Sequence, residues 1–329
     1  MMLQRRPKVS NLILVLQKTL VYAIPLLIVA LAGCFSERSG IINLALEGCM
    51  IFGAFIGAIF VYFAQKNGTF ASKQQLMFVL ALLISGISGA VFSLLLSFAA
   101  IKLKANQTII GTALNMIAPA VVLTACLVIA SQEKLVMKPM PKYVITLEKP
   151  TGTLLDVFID KVYISTYICI GLYIICSIWL YKSKIGTHLR ACGEHPQAAS
   201  SVGINVFAMR YLGTTISGFL AGIGGYAYIA TSAAGTAEST VGGMGFLALA
   251  IMIFGNWNPL GIALGSLLFG FLKCIGTLSS QIPVFAKLNL PSYFYNIIPF
   301  FVVIVILIIF RSRSGCPKAE GIPYEKGER

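Results

Sequence analysis

The chain has few charged residues. Asp, Glu, Lys and Arg make up 11% of its 329 residues, whereas a soluble domain carries about a quarter. Hydrophobic residues make up 57% of the chain, and the mean hydropathy is +0.87. So few charges cannot give the folded chain a polar surface. This excludes an ordinary soluble domain and indicates that lipid surrounds most of the protein.

Three other patterns are missing. The polarity does not alternate in segments of about ten residues, which excludes a transmembrane β-barrel. The eight cysteines include no CxxC pair or zinc-type spacing and fall mostly in apolar runs, so we interpret them as packing residues rather than a disulfide framework or metal site. No GxxxxGKS/T phosphate loop occurs. We therefore predict that the chain binds no cofactor and cannot hydrolyse ATP alone.

Uncharged apolar runs of 18 residues or more recur along the chain. A helix of about 20 apolar residues crosses a bilayer core. The run 239–272 would form a helix of about 51 Å at about 1.5 Å per residue, so we predict two spans with a break at GNWNP, residues 255–259. The sequence therefore predicts an all-α integral membrane protein, a polytopic bundle of about nine transmembrane helices. The runs are 19–36, 48–65, 76–101, 105–132, 162–181, 211–237, 239–272 and 288–310.

The polar segments divide the chain into parts. We predict one transmembrane domain, residues 1–311, followed by a polar, disordered tail, residues 312–329. Two polar insertions interrupt the domain, at 131–161 and 182–206. The formal net charge of +14 is distributed between the spans rather than clustered on one element. We therefore expect the basic residues to face the cytoplasm or anionic lipid headgroups, and we expect no nucleic-acid partner.

The second insertion carries the sequence KSKIGTHLRACGEHPQAASSVGI. Pro196 suits the first residue of a short helix because its fixed φ is helical, and Glu194 stands just before it. The following QAASSVGI consists mostly of small residues that a helix accepts. We predict a short exposed helix between two spans, in which Ala198, Ala199 and Ile204 are free to contact another protein.

The same insertion contains a possible set of metal ligands. His188, Cys192 and His195 have i, i+4, i+7 spacing, which on a continuous helix would place three zinc ligands on one face. Gly193 and Pro196 disfavour a continuous helix, and no fourth ligand is near. We therefore favour a polar connecting loop over a metal site.

This insertion resembles the cytoplasmic coupling loop of ABC-importer permeases for branched-chain amino acids, simple sugars and nucleosides. The family pattern is approximately G-x-x-x-R-A-x-G-x-x-P-x-A-A-x-x-x-G-I. Two further stretches, 36–55 and 242–270, resemble the nucleoside and simple-sugar branch, in which the first typically contains S-G-x-x-N-x-x-x-E-G. The resemblance extends over about residues 20–310. The residues that it identifies with coupling to an ATPase are Gly186, Arg190, Ala191, Gly193, Glu194, Pro196, Ala198, Ala199, Gly203 and Ile204.

The resemblance implies a function and a set of partners. It implies a type II ABC importer-like fold and a permease subunit without catalytic residues, which passes nucleosides or related simple sugars. The implied partners are a cytoplasmic ATPase that uses ATP, a second homologous permease that forms a heterodimer, and an external substrate-binding (lipo)protein. The implied location is the bacterial plasma (inner) membrane. The same role with branched-chain amino acids as substrate is an alternative.

Polar side chains inside apolar runs are candidates for the substrate path. Glu47 is ionisable inside a span, which is costly and by default indicates function, and Asn43 shares its helix face. A second polar stripe includes Thr108, Thr112 and Asn115, which have i, i+4, i+7 spacing. Uncharged donors and acceptors suit sugar hydroxyls and base edges, although such side chains also hold membrane helices together. The candidates are Asn43, Glu47, Gln107, Thr108, Thr112 and Asn115.

Span parity and the positive-inside rule predict which side of the membrane each loop occupies. With 182–206 in the cytoplasm, the basic stretches 102–104 and 311–314 lie there too, and 131–161 lies outside. The same count of spans puts the basic N-terminus outside, whereas the positive-inside rule favours basic residues in the cytoplasm. Either residues 1–18 form an interfacial helix, or the span count differs by one.

Two other classes of protein fit the sequence less well. A secondary transporter driven by an ion gradient is expected to carry coupling carboxylates at mid-membrane, and in the sequence only Glu47 qualifies. A membrane-embedded enzyme needs clustered His, Asp or Glu residues. Two histidines in one loop do not supply such a cluster.

Overall fold

The structure, a computed structural model, is almost entirely helical over the residues it describes. Helices form because an apolar helix satisfies its backbone hydrogen bonds internally, as lipid requires. The described residues are 8–70, 72–138, 156–278, 292–309 and 315–325. In chain order the elements are α1 (Lys8–Arg38), α2 (Leu46–Lys66), α3 (Gln74–Ile101), α4 (Gln107–Ala130), β1 (Leu135–Val136), α5 (Asp156–Ile159), α6 (Ile164–Lys182), α7 (Lys184–Glu194), α8 (Pro196–Ser201), α9 (Val206–Thr231), β2 (Thr236–Ala237), α10 (Met244–Phe254), α11 (Pro259–Leu278) and α12 (Ser292–Ile309).

Seven helices in the described ranges are long and apolar enough to cross a membrane: α1, α2, α3, α4, α6, α9 and α11. The predicted run 239–272 breaks at GNWNP as expected, because α10 ends at Phe254 and α11 begins at Pro259. The first of the two spans predicted there is too short, however. α10 has 11 residues, about 16 Å at about 1.5 Å per residue, which is half of a bilayer core of about 30 Å. The all-α class is confirmed, whereas the count of nine full spans is not.

α1 and α9 form the antiparallel centre of the bundle. Near one end, Ser232 just after α9 donates a hydrogen bond to the Val21 carbonyl of α1 (3.4 Å). Near the other end, Ser39 just after α1 lies against α9. α9 also packs closely on α3, where a Cβ at Gly222 would lie 2.2 Å from the Ser85 carbonyl oxygen. Glycine there lets the two backbones approach, as small residues do between membrane helices.

The two ends of the bundle carry different elements. α7 and α8 lie where α1 finishes, and Arg38 pairs with Glu194 of α7 (3.5 Å). β1 and β2 lie at the opposite end, where the Gln65 side chain exchanges hydrogen bonds with the Lys138 backbone. We call these the α7–α8 end and the β end. α1 begins at the β end, opposite α7–α8.

The structure describes the two ends of the predicted insertion 131–161. Residues 131–138 include β1, which pairs antiparallel with β2. Residues 156–161 include the one-turn helix α5. Residues 139–155 lie outside the described residues.

Two helices begin inside the bundle rather than at either end. After α1 the chain turns back, and Asn43 Nδ2 donates to Ser217 Oγ (2.9 Å) near the middle of α9. α2 begins at Leu46, just beyond this level. α10 begins beside it, since its Gly245 lies against the backbone of Glu47. Helix ends are thereby placed at the centre of the bundle, as in discontinuous membrane helices.

The same three-helix unit occurs twice, in opposite orientations. In each copy a long helix is followed by a helix that begins inside the bundle and then by another long helix: α1, α2 and α3 in one copy, α9, α10 and α11 in the other. α1 runs towards the α7–α8 end, whereas α9 runs away from it. The stretches GISGAVFSLLLSF in α3 and GIALGSLLFGF in α11 are similar and occupy equivalent helices. The bundle therefore has the architecture of an inverted repeat.

The tail is packed over most of its length. Residues 315–325 lie against the α7–α8 end, and Ala319 and Tyr324 are buried there. The prediction of a disordered tail over 312–329 is therefore wrong for this segment. Its few apolar side chains insert between helix ends. The polar composition of the tail as a whole gives no sign of this packing. Residues 312–314 and 326–329 lie outside the described residues.

Candidate functional site: a polar cluster where two helices begin

Glu47 binds the start of α10. Its Oε1 accepts a hydrogen bond from the Gly243 amide (3.0 Å), and its Oε2 accepts one from the Gly245 amide (2.6 Å). The N-cap residue of α10 is Gly243 itself, which has no side chain to cap the helix. Glu47 also lies in the first turn of α2, so the positive ends of two helix dipoles meet at one carboxylate. This arrangement offsets the cost of burying a charge within a membrane.

Asn115 of α4 caps α2 in the same manner. Its Oδ1 accepts a hydrogen bond from the Gly48 amide (2.7 Å), and its Nδ2 donates one to the Leu44 carbonyl (2.6 Å). Ala45, the N-cap residue of α2, makes no side-chain hydrogen bond, although the first amides of a helix need a partner. Both helices that begin mid-bundle are therefore capped by side chains from distant parts of the chain.

Asn43 and Gln107 hold the segment 39–45 that leads into α2. Asn43 donates to Ser217, as described above, and Gln107 Oε1 accepts a hydrogen bond from the Ile42 amide (2.8 Å). Asn43 Oδ1 and Gln107 Nε2 are buried without a hydrogen-bond partner among the described residues. Buried polar atoms normally have partners, so this acceptor and this donor are exceptions.

The structure does not bring Thr108 and Thr112 into this cluster. Both lie on the exposed face of α4, and the Thr112 hydroxyl donates to carbonyls of its own helix. Of the three residues with i, i+4, i+7 spacing, only Asn115 contacts α2. The stripe is divided because segment 39–45 covers the face of α4 that carries Gln107 and Gly111, and Thr108 and Thr112 lie outside that face.

Sequence reasoning missed several residues of this region. Ser217, Gly243 and Gly245 are small residues in Gly-rich apolar runs, and no local signal separates them from packing residues. A second buried carboxylate was also missed: Glu37, in the last turn of α1, accepts a hydrogen bond from Trp257 Nε1 (2.6 Å). A carboxylate followed directly by an arginine at a helix end is usually solvated, so its burial could not be expected from its neighbours.

The predicted coupling stretch forms two helices rather than one. α8 begins at Pro196 as predicted, but it is preceded by the 11-residue helix α7, and His195 separates the two. The helix is interrupted at His195 rather than at Gly193, which lies within α7. A Cβ at Gly193 would lie 2.4 Å from the Arg38 carbonyl oxygen. Glycine at this position therefore permits α7 to approach the end of α1, and Gly186 similarly permits a close approach to the end of α6.

α8 presents one face to the rest of the chain and the other to solvent. Ala199 is only 4% exposed and packs with Cys192, Val206 and Tyr324, so the prediction that it is free to contact another protein is wrong. Ile204 is half-buried against the same cluster. The residues exposed on the outer face are Gln197, Ala198, Ser201 and Val202.

The remaining predicted coupling residues fix α7 and α8 in place. Arg190 lies over the Tyr181 ring (5.1 Å to the centroid) and donates to the Tyr181 carbonyl (3.3 Å). Glu194 pairs with the last residue of α1, and Ala191 is half-buried beside the inner cluster. Gly203 has a φ of +88°, which favours glycine and allows the chain to turn from α8 into α9.

The spacing of His188, Cys192 and His195 does not bring the three side chains together. Cys192 is buried, whereas both histidines are exposed. Burial raises the pKa of the Cys192 thiol to about 11, which keeps it protonated and disfavours metal binding. Within the described ranges, no group of three His, Cys, Asp or Glu side chains could hold a metal ion.

These features define a class of protein. Long apolar helices, an inverted repeat and two helix starts at the centre of the bundle are typical of a polytopic membrane transporter. Residues 15–307 match the family described as the permease component of the branched-chain amino acid transport system. The chain therefore belongs to this family of transport permeases. It is a multi-pass protein of the bacterial plasma (inner) membrane.

Two relatives are similar over nearly the whole chain. The guanosine ABC transporter permease protein NupQ of Bacillus subtilis is 39% identical over 98% of this chain and 99% of its own length. The nucleoside ABC transporter permease protein NupC of Lactococcus lactis is 34% identical over 97% of this chain and 99% of its own length. A third relative matches about half of the chain: the nucleoside ABC transporter permease protein NupB of Lactococcus lactis is 26% identical over 50% of this chain and 46% of its own length. No solved structure matches the chain.

Proposed function

We propose that this chain is the membrane-spanning permease subunit of an ATP-driven ABC importer of nucleosides. The observation that carries the proposal is its similarity, over nearly the full length of each chain, to permeases named for guanosine and for nucleosides. The polar cluster supports the substrate class. Its amide and hydroxyl groups can bond base edges and ribose hydroxyls without requiring a charged solute.

The substrate path in this proposal passes the starts of α2 and α10. Asn43 and Gln107 line it with an acceptor and a donor that have no partner in the described part of the chain, and Glu47 and Asn115 hold the two helix starts in position. The exposed hydroxyls of Thr108 and Thr112 face the space outside this subunit, where a second permease would complete the path. Unpaired buried amides are costly unless a ligand or water bonds them, which supports a site that solutes visit.

The partners follow from the proposed role. The chain has no phosphate loop, so ATP binds to and is hydrolysed by a separate cytoplasmic ATPase. A second, homologous permease forms a heterodimer with this one. The two Lactococcus lactis relatives, NupC and NupB, are both named as nucleoside permeases of one species and support such a pair. A substrate-binding protein delivers the nucleoside from outside.

In this proposal the α7–α8 end lies in the cytoplasm and the β end lies outside. Residues 1–311 then form the transmembrane domain, 131–161 the external insertion and 182–206 the coupling loop. In this proposal the half-span α10 and the 18-residue helix α12 lie in the membrane beside the seven long helices.

The ATPase docks on the outer face of α8 in this proposal. That face consists of small and uncharged side chains, Gln197, Ala198, Ser201 and Val202, and all four are exposed. α7 transmits movement of the docked ATPase to the bundle. Arg190 of α7 donates a hydrogen bond to α6, and Gly193 lets α7 pack closely on the end of α1.

A reconstitution experiment tests the proposal. The chain, tagged at its C-terminus, is purified from its native host with its associated subunits and inserted into proteoliposomes with the binding protein outside and ATP inside. We expect uptake of labelled guanosine that requires ATP. The tagged chain purified without associated subunits is the control and should hydrolyse no ATP. Guanosine uptake that follows a proton or sodium gradient and ignores ATP would overturn the proposal in favour of a secondary transporter.

The same vesicles test the amino acid alternative. The family is described by branched-chain amino acid transport, so leucine is the appropriate competitor. We expect a hundredfold excess of leucine to leave guanosine uptake unchanged and adenosine to reduce it. ATP-dependent leucine uptake without guanosine uptake would keep the permease role and replace the substrate.

A further inference from the structure

The C-terminal segment 315–325, which we call the clasp, joins α7 to the segment that leads into α2. The Ala319 amide donates a hydrogen bond to the Gly193 carbonyl of α7 (2.9 Å). Two residues later, the Gly321 amide donates to the Gly40 carbonyl (3.2 Å). A single short piece of chain is therefore bonded on one side to the predicted coupling helices and on the other to the turn after α1.

The clasp is also anchored at both of its ends. The Gly315 amide donates to Asn256 Oδ1, in the turn between α10 and α11. At the other end, Glu325 forms a salt bridge with Lys104, in the turn between α3 and α4. The clasp thus crosses the α7–α8 end and contacts turns from both copies of the inverted repeat.

Arg210, near the start of α9, depends on the clasp for its hydrogen bond. Arg210 is 1% exposed, and its Nη1 donates to the Ile322 carbonyl (3.0 Å). Its Nε and Nη2 have no partner within the described part of the chain. The guanidinium lies beside Gly40, where an added Cβ would be 3.0 Å from Nη2. Because a buried charge is costly without hydrogen bonds, the clasp stabilises the position of Arg210 against Gly40.

Tyr324 covers the inner face of α8. It is 5% exposed and packs with Cys192, Ala199 and Val206. Its ring also lies 5.2 Å from the ring of Phe207, centroid to centroid. α8 has only six residues, too few to be stable alone, so this packing fixes its position relative to the bundle.

We propose that the clasp is a coupling element, which transmits movement of α7 and α8 to segment 39–45 and so to the polar cluster. The inference rests on the proposed function, because an ATPase partner is what would move α7 and α8. Ala319 and Gly321 are two residues apart, which limits the chain between them to about 7 Å at full extension. Because amides two residues apart bond the Gly193 and Gly40 carbonyls, we infer that a displacement of α7 moves Gly40, three residues before Asn43. Packed segments pass on such shifts as bodies rather than absorbing them.

A matched pair of substitutions tests the clasp. Tyr324→Ala removes the buried contact with α8, whereas Ile322→Ala, two residues away, truncates a side chain that is 55% exposed and keeps the carbonyl that binds Arg210. Both are measured in the complete importer as the number of nucleosides taken up per ATP hydrolysed. We expect this ratio to fall at least fivefold in Tyr324→Ala, with ATPase subunits co-purified in the parent's amount, and to stay within twofold of the parent in Ile322→Ala.

A pair of truncations provides the second test. Removal of 315–329 deletes the clasp, and removal of 326–329 is the control. We expect the longer truncation to lower the uptake-to-hydrolysis ratio as Tyr324→Ala does, and the shorter one to leave it unchanged.

The possible outcomes separate the two proposals. An unmodified importer that fails to take up nucleosides contradicts the proposed function. A functioning parent with an unchanged ratio in Tyr324→Ala and in the longer truncation overturns the clasp. Loss of both variants from the membrane, or a fall of uptake and ATP hydrolysis in equal proportion, overturns it as well, because the segment would then serve only to stabilise the fold.

Discussion

Single polar residues of this permease act mainly on backbone groups far away in the sequence. Glu47 bonds amides of α10, and Asn115 bonds the start of α2. Both residues can be recognised in the sequence because a carboxylate or an amide is conspicuous in an apolar run. Their partners cannot be recognised there, since Gly243, Gly245 and Gly48 contribute backbone amides, which every residue except proline possesses.

Replacing Glu47 tests its role as a cap. Glu47→Ala leaves the amides of Gly243 and Gly245 without acceptors, and an unpaired buried donor costs about 1–3 kcal/mol. We expect a lower thermal unfolding midpoint in detergent and loss of nucleoside uptake. Glu47→Gln keeps one acceptor oxygen and should give an intermediate midpoint. An unchanged midpoint in Glu47→Ala would contradict the capping role.

Replacing Asn115 tests the cap of α2 independently. Asn115→Ala removes the acceptor of the Gly48 amide and the donor to Leu44, and hydrogen bonds between membrane helices contribute about 0.6 kcal/mol each on average. We expect a modest fall in thermal stability and a several-fold fall in uptake, because α2 loses its fixed start. Val128→Ala, in the last turn of α4 and 79% exposed, is the control and should behave as the parent. Equal uptake in the two variants would argue against the role of Asn115.

At the scale of elements, the coupling stretch shows what a local pattern predicts well and what it does not. Pro196 correctly marked the start of α8, because its fixed φ is a local property. The pattern could not tell which face of α8 is buried. Ala198 and Ala199 are the same residue type in adjacent positions, and the packing of Tyr324 against Ala199 decides between them.

This difference between neighbouring alanines supplies a prediction about ATPase docking. Ala198→Arg adds bulk and charge on the exposed face, so we expect the chain to keep the parent's stability, within about 0.5 kcal/mol as is usual for surface changes, while co-purified ATPase falls severalfold. Ala199→Arg forces a charge into the inner cluster and should lower stability as well. Pull-down of the ATPase and thermal unfolding distinguish the two effects. Normal ATPase recovery with Ala198→Arg would place the docking surface elsewhere.

At the scale of the whole molecule, the inverted repeat determines where each segment lies relative to the membrane. α1 and α9 run in opposite directions, and each is followed by a helix that starts mid-bundle. This explains why counting uncharged runs gave nine full spans. Hydropathy measures only how apolar each stretch of chain is. The half-span α10 followed by the full span α11 is as apolar as two full spans would be, so hydropathy alone cannot distinguish the two cases.

Labelling of single cysteines tests the orientation. In a Cys316→Ser background, which removes an exposed native thiol, Gln132→Cys reports on the β end and Ser201→Cys on the α7–α8 end. Both positions are exposed. We expect a membrane-impermeant maleimide to label Gln132→Cys on intact cells and Ser201→Cys only after permeabilisation. The reverse pattern would show that the orientation is inverted.

The sequence by itself determined the lipid environment, the positions of most long helices, the break at 255–259 and the polar residues at the centre. Each of these follows from the chemistry of neighbouring residues, which hydropathy and helix geometry translate directly into local structure. Only the tertiary structure decided that Glu47 caps a helix 198 residues away along the chain, that Ala199 faces inward and that the tail binds Arg210. These depend on which distant surfaces meet, and a backbone amide or a small side chain gives no local sign of its partner.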